Sequence, residues 1–213
     1  MRWQAYGPHA LLLRFAESVG DEAFEKGCAI ARHLEANPPP GMIEFVSGFT
    51  TVLLEFDPSE IADIAAIAPA LVTEIQGAAG RKLPPGPIKE IPVTYNGPDL
   101  ETVAAAHGLS TAEVRELHAR TVYKVYFLGF APGFPYLGDL DPRLHTPRLA
   151  SPRVRVAAGS VAIGGEHTGI YTVDSPGGWN IIGHTPVKIF DPSQRGERSM
   201  FRLQQGDRVK FVT

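Results

Sequence analysis

The sequence predicts an α+β chain in two parts, a helix-and-strand half followed by a β-barrel half. Three observations predict it. Strand and helix signals alternate up to about residue 85. From Val122 onward, short β-rich runs alternate with Gly/Pro turns. The charge also changes sign between the halves: residues 1–85 carry 6 Lys/Arg against 11 Asp/Glu, residues 86–213 carry 14 against 12. The boundary is placed after Pro85, giving domains 1–85 and 86–213.

Ala10 to Ala16 is an apolar run suited to a strand. Gly20 to Ala36 reads as a helix, with Ser18 and Asp21 at capping-box spacing. Phe24, Cys28, Ala31 and Leu34 form its apolar stripe. Asn37-Pro-Pro-Pro-Gly41 ends it, because proline lacks the N–H and clashes with the preceding turn. Met42 to Phe56 reads as two strands around a Ser47-Gly48 turn. Asp57-Pro-Ser-Glu60 reads as the start of a second helix running to about Gln76. Gly80 to Pro87 is a linker, and Ile88 to Tyr95 a strand. Strand–helix–strand–strand–helix–strand is the order of a ferredoxin-like sandwich.

Asp99 to His107 and Ser110 to Arg120 read as short helices, the second with a Ser110/Glu113 capping box. Eight strand runs follow: Val122–Leu128, Val154–Val156, Ser160–Ile163, Gly169–Val173, Asn180–Ile182, Val187–Phe190, Arg198–Leu203 and Arg208–Val212.

The 213 residues are 44% apolar with a net charge of −3, which excludes a disordered chain. No basic excess exists to release counterions from phosphates, so nucleic-acid binding is not expected. The longest uncharged stretch, Val125 to Gly138, is 14 residues with two prolines, whereas a membrane span needs about 20 apolar residues. A single cysteine, Cys28, excludes an internal disulfide and a cysteine-cluster metal site. His145, His167 and His184 lack metal-ligand spacing, so no metal is expected. A cytoplasmic protein is the resulting expectation.

Four stretches carry candidate chemistry. Phe127 to Leu137 is aromatic and turn-rich, and offers Phe134 and Tyr136 as a pocket wall. Arg143, Arg148, Arg153 and Arg155 fall within 13 residues. Pro147 and Pro152 stiffen that loop, and an arginine fork binds carboxylate or phosphate in two places. Ala158 to Gly165 is glycine-rich but lacks the Gly-Lys-Ser/Thr ending of a phosphate loop. Its Ser160 is a candidate donor. Glu166 and His167 are neighbours on a strand and point to opposite faces, which argues against an acid–base dyad. In Ser175-Pro-Gly-Gly-Trp-Asn180, Gly177 and Gly178 permit close backbone approach to a ligand, and Trp179 offers a flat stacking face. His184 follows. From these residues alone the second half holds an anion-friendly groove with no assignable catalytic residue.

Five linked motifs occur in order: Gly129-Phe-x-Pro-Gly-Phe-x-Tyr-Leu137, Thr146-Pro-Arg-x-x-x-Pro-Arg153, Ala158-Gly-Ser-Val-x-Ile163, Thr168-Gly-Ile-Tyr171, and Ser175-Pro-Gly-Gly-Trp179 with Ile182-Gly-x-Thr-Pro186. Together they resemble the family of the B-type 5-oxoprolinase subunit, also called KipI-like or allophanate hydrolase subunit 1, across essentially the whole chain. The resemblance implies a ferredoxin-like domain followed by a cyclophilin-like barrel. It further implies a subunit, inactive alone, of an ATP-dependent 5-oxoprolinase, acting with a C-type 5-oxoprolinase subunit and a LamB/YcsF-type subunit. The implied reaction turns 5-oxoproline, ATP and water into glutamate, ADP and phosphate. A lactam is a poor electrophile, and phosphorylating its carbonyl oxygen creates a leaving group. Arg148, Arg153, Ser160, Gly177, Gly178, Trp179, Phe134, Tyr136 and His184 would bind the small carboxylate substrate. His184 stands where members commonly carry Arg, so one permanent cation is absent. Two other roles occur among similar proteins: KipI-like inhibition of a sensor histidine kinase, and carboxyl transfer within a biotin-dependent urea carboxylase.

Overall fold

The structure is a computed structural model describing residues 1–213, apart from the side chains of residues 197 and 198. It divides into two units, Met1–Pro84 and Pro85–Thr213.

The first unit runs β1 (Arg2–Ala5), β2 (Ala10–Arg14), α1 (Asp21–Ala36), β3 (Met42–Ser47), β4 (Thr51–Phe56) and α2 (Ile64–Ala79). The sheet order is β1-β2-β4-β3, with every neighbour antiparallel. Alternation puts Leu11, Leu13, Val52, Leu54 and Phe56 on one face, where they share a core with Ile30 and Leu34 of α1 and Ile64, Leu71 and Ile75 of α2.

Three sequence expectations are corrected here. Ile88–Pro92 does not complete this sheet; it lies in the second unit, and the edge beside β2 is filled by β1 at the N-terminus. Helix α1 is capped by Gly20 with no side-chain hydrogen bond; Ala31 and Leu34 of the expected stripe are buried, while Phe24 and Cys28 are only half-buried and Ala23, Gly27 and Ile30 take the inner positions. Asp57 does not cap α2. Its Oδ1 accepts from the Ser59 N–H (2.8 Å) and hydroxyl (2.6 Å), a local turn that competes with helix. The cap is Asp63, accepting from the Ala65 N–H at 2.9 Å.

The second unit adds β5 (Ile88–Pro92), α3 (Leu100–Ala106), α4 (Thr111–Arg120), β6 (Val122–Leu128), β7 (Pro135–Gly138), β8 (Arg153–Val156), β9 (Ser160–Gly164), β10 (His167–Ile170), β11 (Ser175–Gly177), β12 (Asn180–His184), α5 (Glu197–Met200) and β13 (Arg208–Val212). Seven strands follow the order β12-β9-β10-β7-β6-β13-β5. Beyond β5, Thr94 exchanges two 2.9 Å backbone hydrogen bonds with His184 at the far end of β12. The sheet therefore curls until its edges meet, which fits a cyclophilin-like fold. Val125, Leu137, Val161, Ile163, Ile170, Ile182, Val209 and Phe211 fill its inner side together with Val103 of α3 and Val114 of α4. The Ser110/Glu113 capping box forms as expected.

The expected strand over Val187–Phe190 is reduced to a Phe190–Phe201 bridge, and residues 197–200 are helical rather than extended. Sequence patterning misses β7 and β11, whose Pro135, Gly138, Pro176 and Gly177 read as turn residues. Among the described residues no helix is long and apolar enough to cross a membrane.

Candidate functional site

Strand β9 organises the site. Val161 and Ile163 point into the barrel, so Ser160, Ala162 and Gly164 lie on its outer side. Ala162 joins Phe134, Val156, Tyr171, Trp179 and Ile181 in a separate apolar cluster there. Trp179 is 5% exposed and Phe134 and Tyr171 2% each. The rings meet edge to face: Phe134 is 5.2 Å from Tyr171 and from Tyr136, and 5.4 Å from Trp179. The glycines of this region make room for these rings. A Cβ on Gly164 would lie 2.4 Å from the Trp179 ring, one on Gly169 2.9 Å from Phe134, and one on Gly177 2.2 Å from the Tyr171 hydroxyl.

Arg148 lies over this aromatic floor, its Cζ 5.7 Å from the Trp179 ring centre. A ring face attracts a cation and still leaves its N–H groups free to bind an acid. Among the described residues Arg148 has no carboxylate partner. The other three arginines do, and each acid comes from outside the arginine loop. Arg143 donates to Asp141 through Nε (3.0 Å) and Nη2 (2.7 Å), and Arg120 joins the same carboxylate. These hydrogen bonds hold the Asp141 carboxyl well below its usual range. Arg155 pairs with Asp174. Arg153 Nη2 donates to Asp99 Oδ1 at 2.6 Å, and Asp99 Oδ2 accepts from the Ile181 N–H at 2.7 Å. Arg153 thereby anchors the β8–β11 ribbon, while its Nη1 is buried without a hydrogen-bond partner.

Burial pushes the Tyr136 and Tyr171 hydroxyls up, with Arg148 opposing it at both. Both are therefore neutral donors at physiological pH. His167 is pushed down by burial and stays a neutral base.

The expected residues split along this outer face. Arg148, Trp179, Tyr136 and Phe134 come together at one end. Ser160 and His184 are cross-strand partners at the other, roughly 13 Å away at about 3.3 Å per residue of β9. There a cleft of about 210 Å³ is lined by Gly159, Tyr171, Thr172, His184 and Lys188. Tyr171 belongs to both ends. Gly177 is filled by Tyr171 rather than open to a ligand. Gly178 has space, with nothing within 3.6 Å of an added Cβ, and its carbonyl accepts from the Leu149 N–H at 2.7 Å. The Ala158–Gly165 stretch is no triphosphate cradle, because Gly159 packs on His184 and Gly164 on Trp179. Larger hollows of about 410 and 290 Å³ lie in the first unit. Their Arg2 and Lys26 are neutralised by Glu17 and Glu22. Among the described residues no group of metal-ligating side chains forms.

The family described as "Carboxyltransferase domain, subdomain C and D" matches residues 1–201. The chain belongs to this family. Among similar proteins, the B-type 5-oxoprolinase subunit of Bacillus subtilis (strain 168) is 38% identical over 218 residues, covering 97% of this chain and 90% of that protein. Its counterpart of the same name from Escherichia coli O157:H7 is 56% identical over 126 residues, 58% of this chain and 56% of that protein. Of solved structures, TTHA0988 is 40% identical with a TM-score of 0.84, matching 95% of this chain, which spans 40% of that one. PH0987 from Pyrococcus horikoshii is 36% identical with a TM-score of 0.56, matching 99% and 96%. The family's fold class thus agrees with the curled sheet of the second unit. Sequence reasoning misses two residues of the site: Asp99, whose pairing with Arg153 spans 54 positions, and Tyr171, which stands out in the sequence only as the end of a motif.

Proposed function

We propose that this chain is a non-autonomous subunit of an ATP-dependent 5-oxoprolinase, working with a C-type 5-oxoprolinase subunit and a LamB/YcsF-type subunit in the cytoplasm. The observation that carries the reading is Arg148, its Cζ 5.7 Å from the Trp179 ring centre and, among the described residues, without a carboxylate partner, in a chain similar along 97% of its length to the B-type subunit of a 5-oxoprolinase. Arg148 binds the substrate carboxylate. Arg153, through Asp99, holds the β8–β11 ribbon that frames the site. Phe134, Tyr136 and Trp179 form the apolar floor under the ring. Ser160, His184, Gly177 and Gly178 frame the same face. ATP is left to the companion subunits, since Gly159 and Gly164 of the glycine-rich stretch are filled by His184 and Trp179. The first unit is read as a ferredoxin-like sandwich with its edge strand drawn from the N-terminus; its sheet order supports this.

The carboxyltransferase reading is favoured by the description of the matching family and by similarity to two fungal proteins, a putative urea carboxylase and a urea amidolyase. The urea amidolyase from Saccharomyces cerevisiae is 25% identical over 189 residues, although the match is 10% of that protein. The test is reconstitution with the two companion subunits, following glutamate released from 5-oxoproline with ATP. Release is expected only when this chain is present. Full release without it overturns the proposal.

A further inference from the structure

The loop beside the aromatic floor holds a strained residue. Phe130 has φ +66°, one of two non-glycine residues with positive φ among those described. Such backbone costs free energy in any L-residue with a bulky side chain. A 2.7 Å hydrogen bond from the Ala131 N–H to the Gly129 carbonyl closes a three-residue turn with Phe130 at its apex, the strained form of a γ-turn. Its surroundings fix it. The Gly129 N–H donates to the Phe134 carbonyl, and the Phe134 N–H to the Ala131 carbonyl, both at 3.0 Å. The Thr172 hydroxyl donates to the Pro132 carbonyl at 2.7 Å.

The strain does not serve burial, because Phe130 is 62% exposed. The ring stands edge-on to Phe134 (5.4 Å, 73°) and Tyr171 (6.3 Å, 89°), two members of the floor beneath Arg148. A glycine at this position would relieve the backbone and an alanine would expose less apolar surface. Strain held by a rigid frame, combined with an uncovered ring at a binding face, marks a ligand contact.

We propose that Phe130 is a specificity-determining residue: a fixed aromatic flap that covers the ring of a small cyclic carboxylate whose acid group Arg148 holds. This rests on the functional reading above. The Phe130 ring rests edge-on against Phe134 and Tyr171, which brace it from behind, and its exposed face supplies the apolar contact to the ligand ring. An open-chain acid would satisfy Arg148 and leave the flap unused, so the flap selects the lactam over its hydrolysed product.

The test uses the reconstituted complex with 5-oxoproline as substrate and glutamate as competitor. Phe130→Ala is expected to raise KM about 10-fold with kcat within about twofold, and to weaken glutamate inhibition far less. Phe130→Tyr restores KM. Phe130→Gly shows the same KM rise while its thermal midpoint increases, which a purely structural role would not produce. An unchanged KM in F130A overturns the proposal and leaves the subunit assignment standing. Loss of co-purification with the companion subunits, with normal KM in what assembles, overturns it in favour of a protein interface. Absence of any turnover by the wild-type complex overturns the functional reading and the flap with it.

Discussion

Thr168 fixes the tautomer of His118. The Thr168 hydroxyl donates to the Ala162 carbonyl at 2.9 Å, so toward His118 Nε2, at 2.8 Å, it can only accept. His118 therefore carries its proton on Nε2, and Nδ1 accepts from the Tyr95 hydroxyl at 2.7 Å. The ring is fully buried and stacked on Phe211 at 4.6 Å between centres. Every polar atom of the imidazole is satisfied in the neutral state, so this histidine belongs to the barrel core and not to catalysis.

The first prediction follows from that neutrality. Burial pushes the His118 pKa from 6.5 down to about 3. Below pH 6.5 the unfolded chain takes up a proton that the folded chain refuses, so stability is lost as pH falls. The slope is about 1.4 kcal/mol per unit from this group. His167, also lowered by burial, adds in the same direction. Urea denaturation at pH 7.5 and 5.0 should show a loss of about 2 kcal/mol, in a window above the carboxylate range. His118→Gln should be less stable at pH 7.5 yet lose most of the slope. A flat profile in the wild type would contradict the buried neutral imidazole.

Arg148 and Arg153 are predicted to separate function from stability. Arg148→Met removes a cation that holds no acid in the structure. Its thermal midpoint should be nearly unchanged while KM for 5-oxoproline rises about 10- to 100-fold, the worth of a charged hydrogen bond of about 1.5–3 kcal/mol. Arg148→Lys should recover little, because an ammonium lacks the planar two-pronged fork with which a guanidinium meets a carboxylate. Kinetics of the reconstituted complex check this, and normal KM in R148M would remove Arg148 from the site.

Arg153→Met should instead cost about 1–3 kcal/mol of stability, because Asp99 is buried and loses one of its two partners. Asp99→Ala should cost more, since the Ile181 N–H then also loses its acceptor. Denaturant unfolding of both single mutants and the double mutant gives the coupling, expected at about 1–3 kcal/mol. Additive effects would mean that the pair does not hold the ribbon.

Much of this arrangement is legible in local pattern, and the failures share a cause. The Ser110/Glu113 capping box and the runs Val122–Leu128 and Arg208–Val212 form as the sequence predicts, because caps and apolar alternation act within a few residues. The four-arginine loop misleads because Asp99 and Asp174 reach it from 54 and 19 positions away. The glycines read as openings for a ligand, yet Gly164 and Gly177 are openings for Trp179 and Tyr171. Whether a missing Cβ admits substrate or the protein's own ring depends on packing between strands far apart in sequence. The destination of Ile88–Pro92 is hidden likewise: its partner is β13, at Arg208–Val212 near the other end of the chain.

The Gly164–Trp179 contact supplies the last prediction. A Cβ on Gly164 would sit 2.4 to 2.6 Å from three atoms of the indole, closer than any relaxed contact, and the ring is hemmed in by Phe134 and Tyr136. Gly164→Ala must push the indole outward. We expect a destabilisation of about 1–3 kcal/mol from overpacking. Displacing the indole also takes away the face that holds Arg148, so KM should rise together with the loss of stability. In a Trp3→Phe background the emission of Trp179 should shift to the red as the ring becomes wetter. Trp179→Ala in combination with G164A removes the obstacle. The double mutant should then be no less stable than W179A alone, whereas independent effects would add. An additive double mutant would show that Gly164 is required for a reason other than the ring it faces.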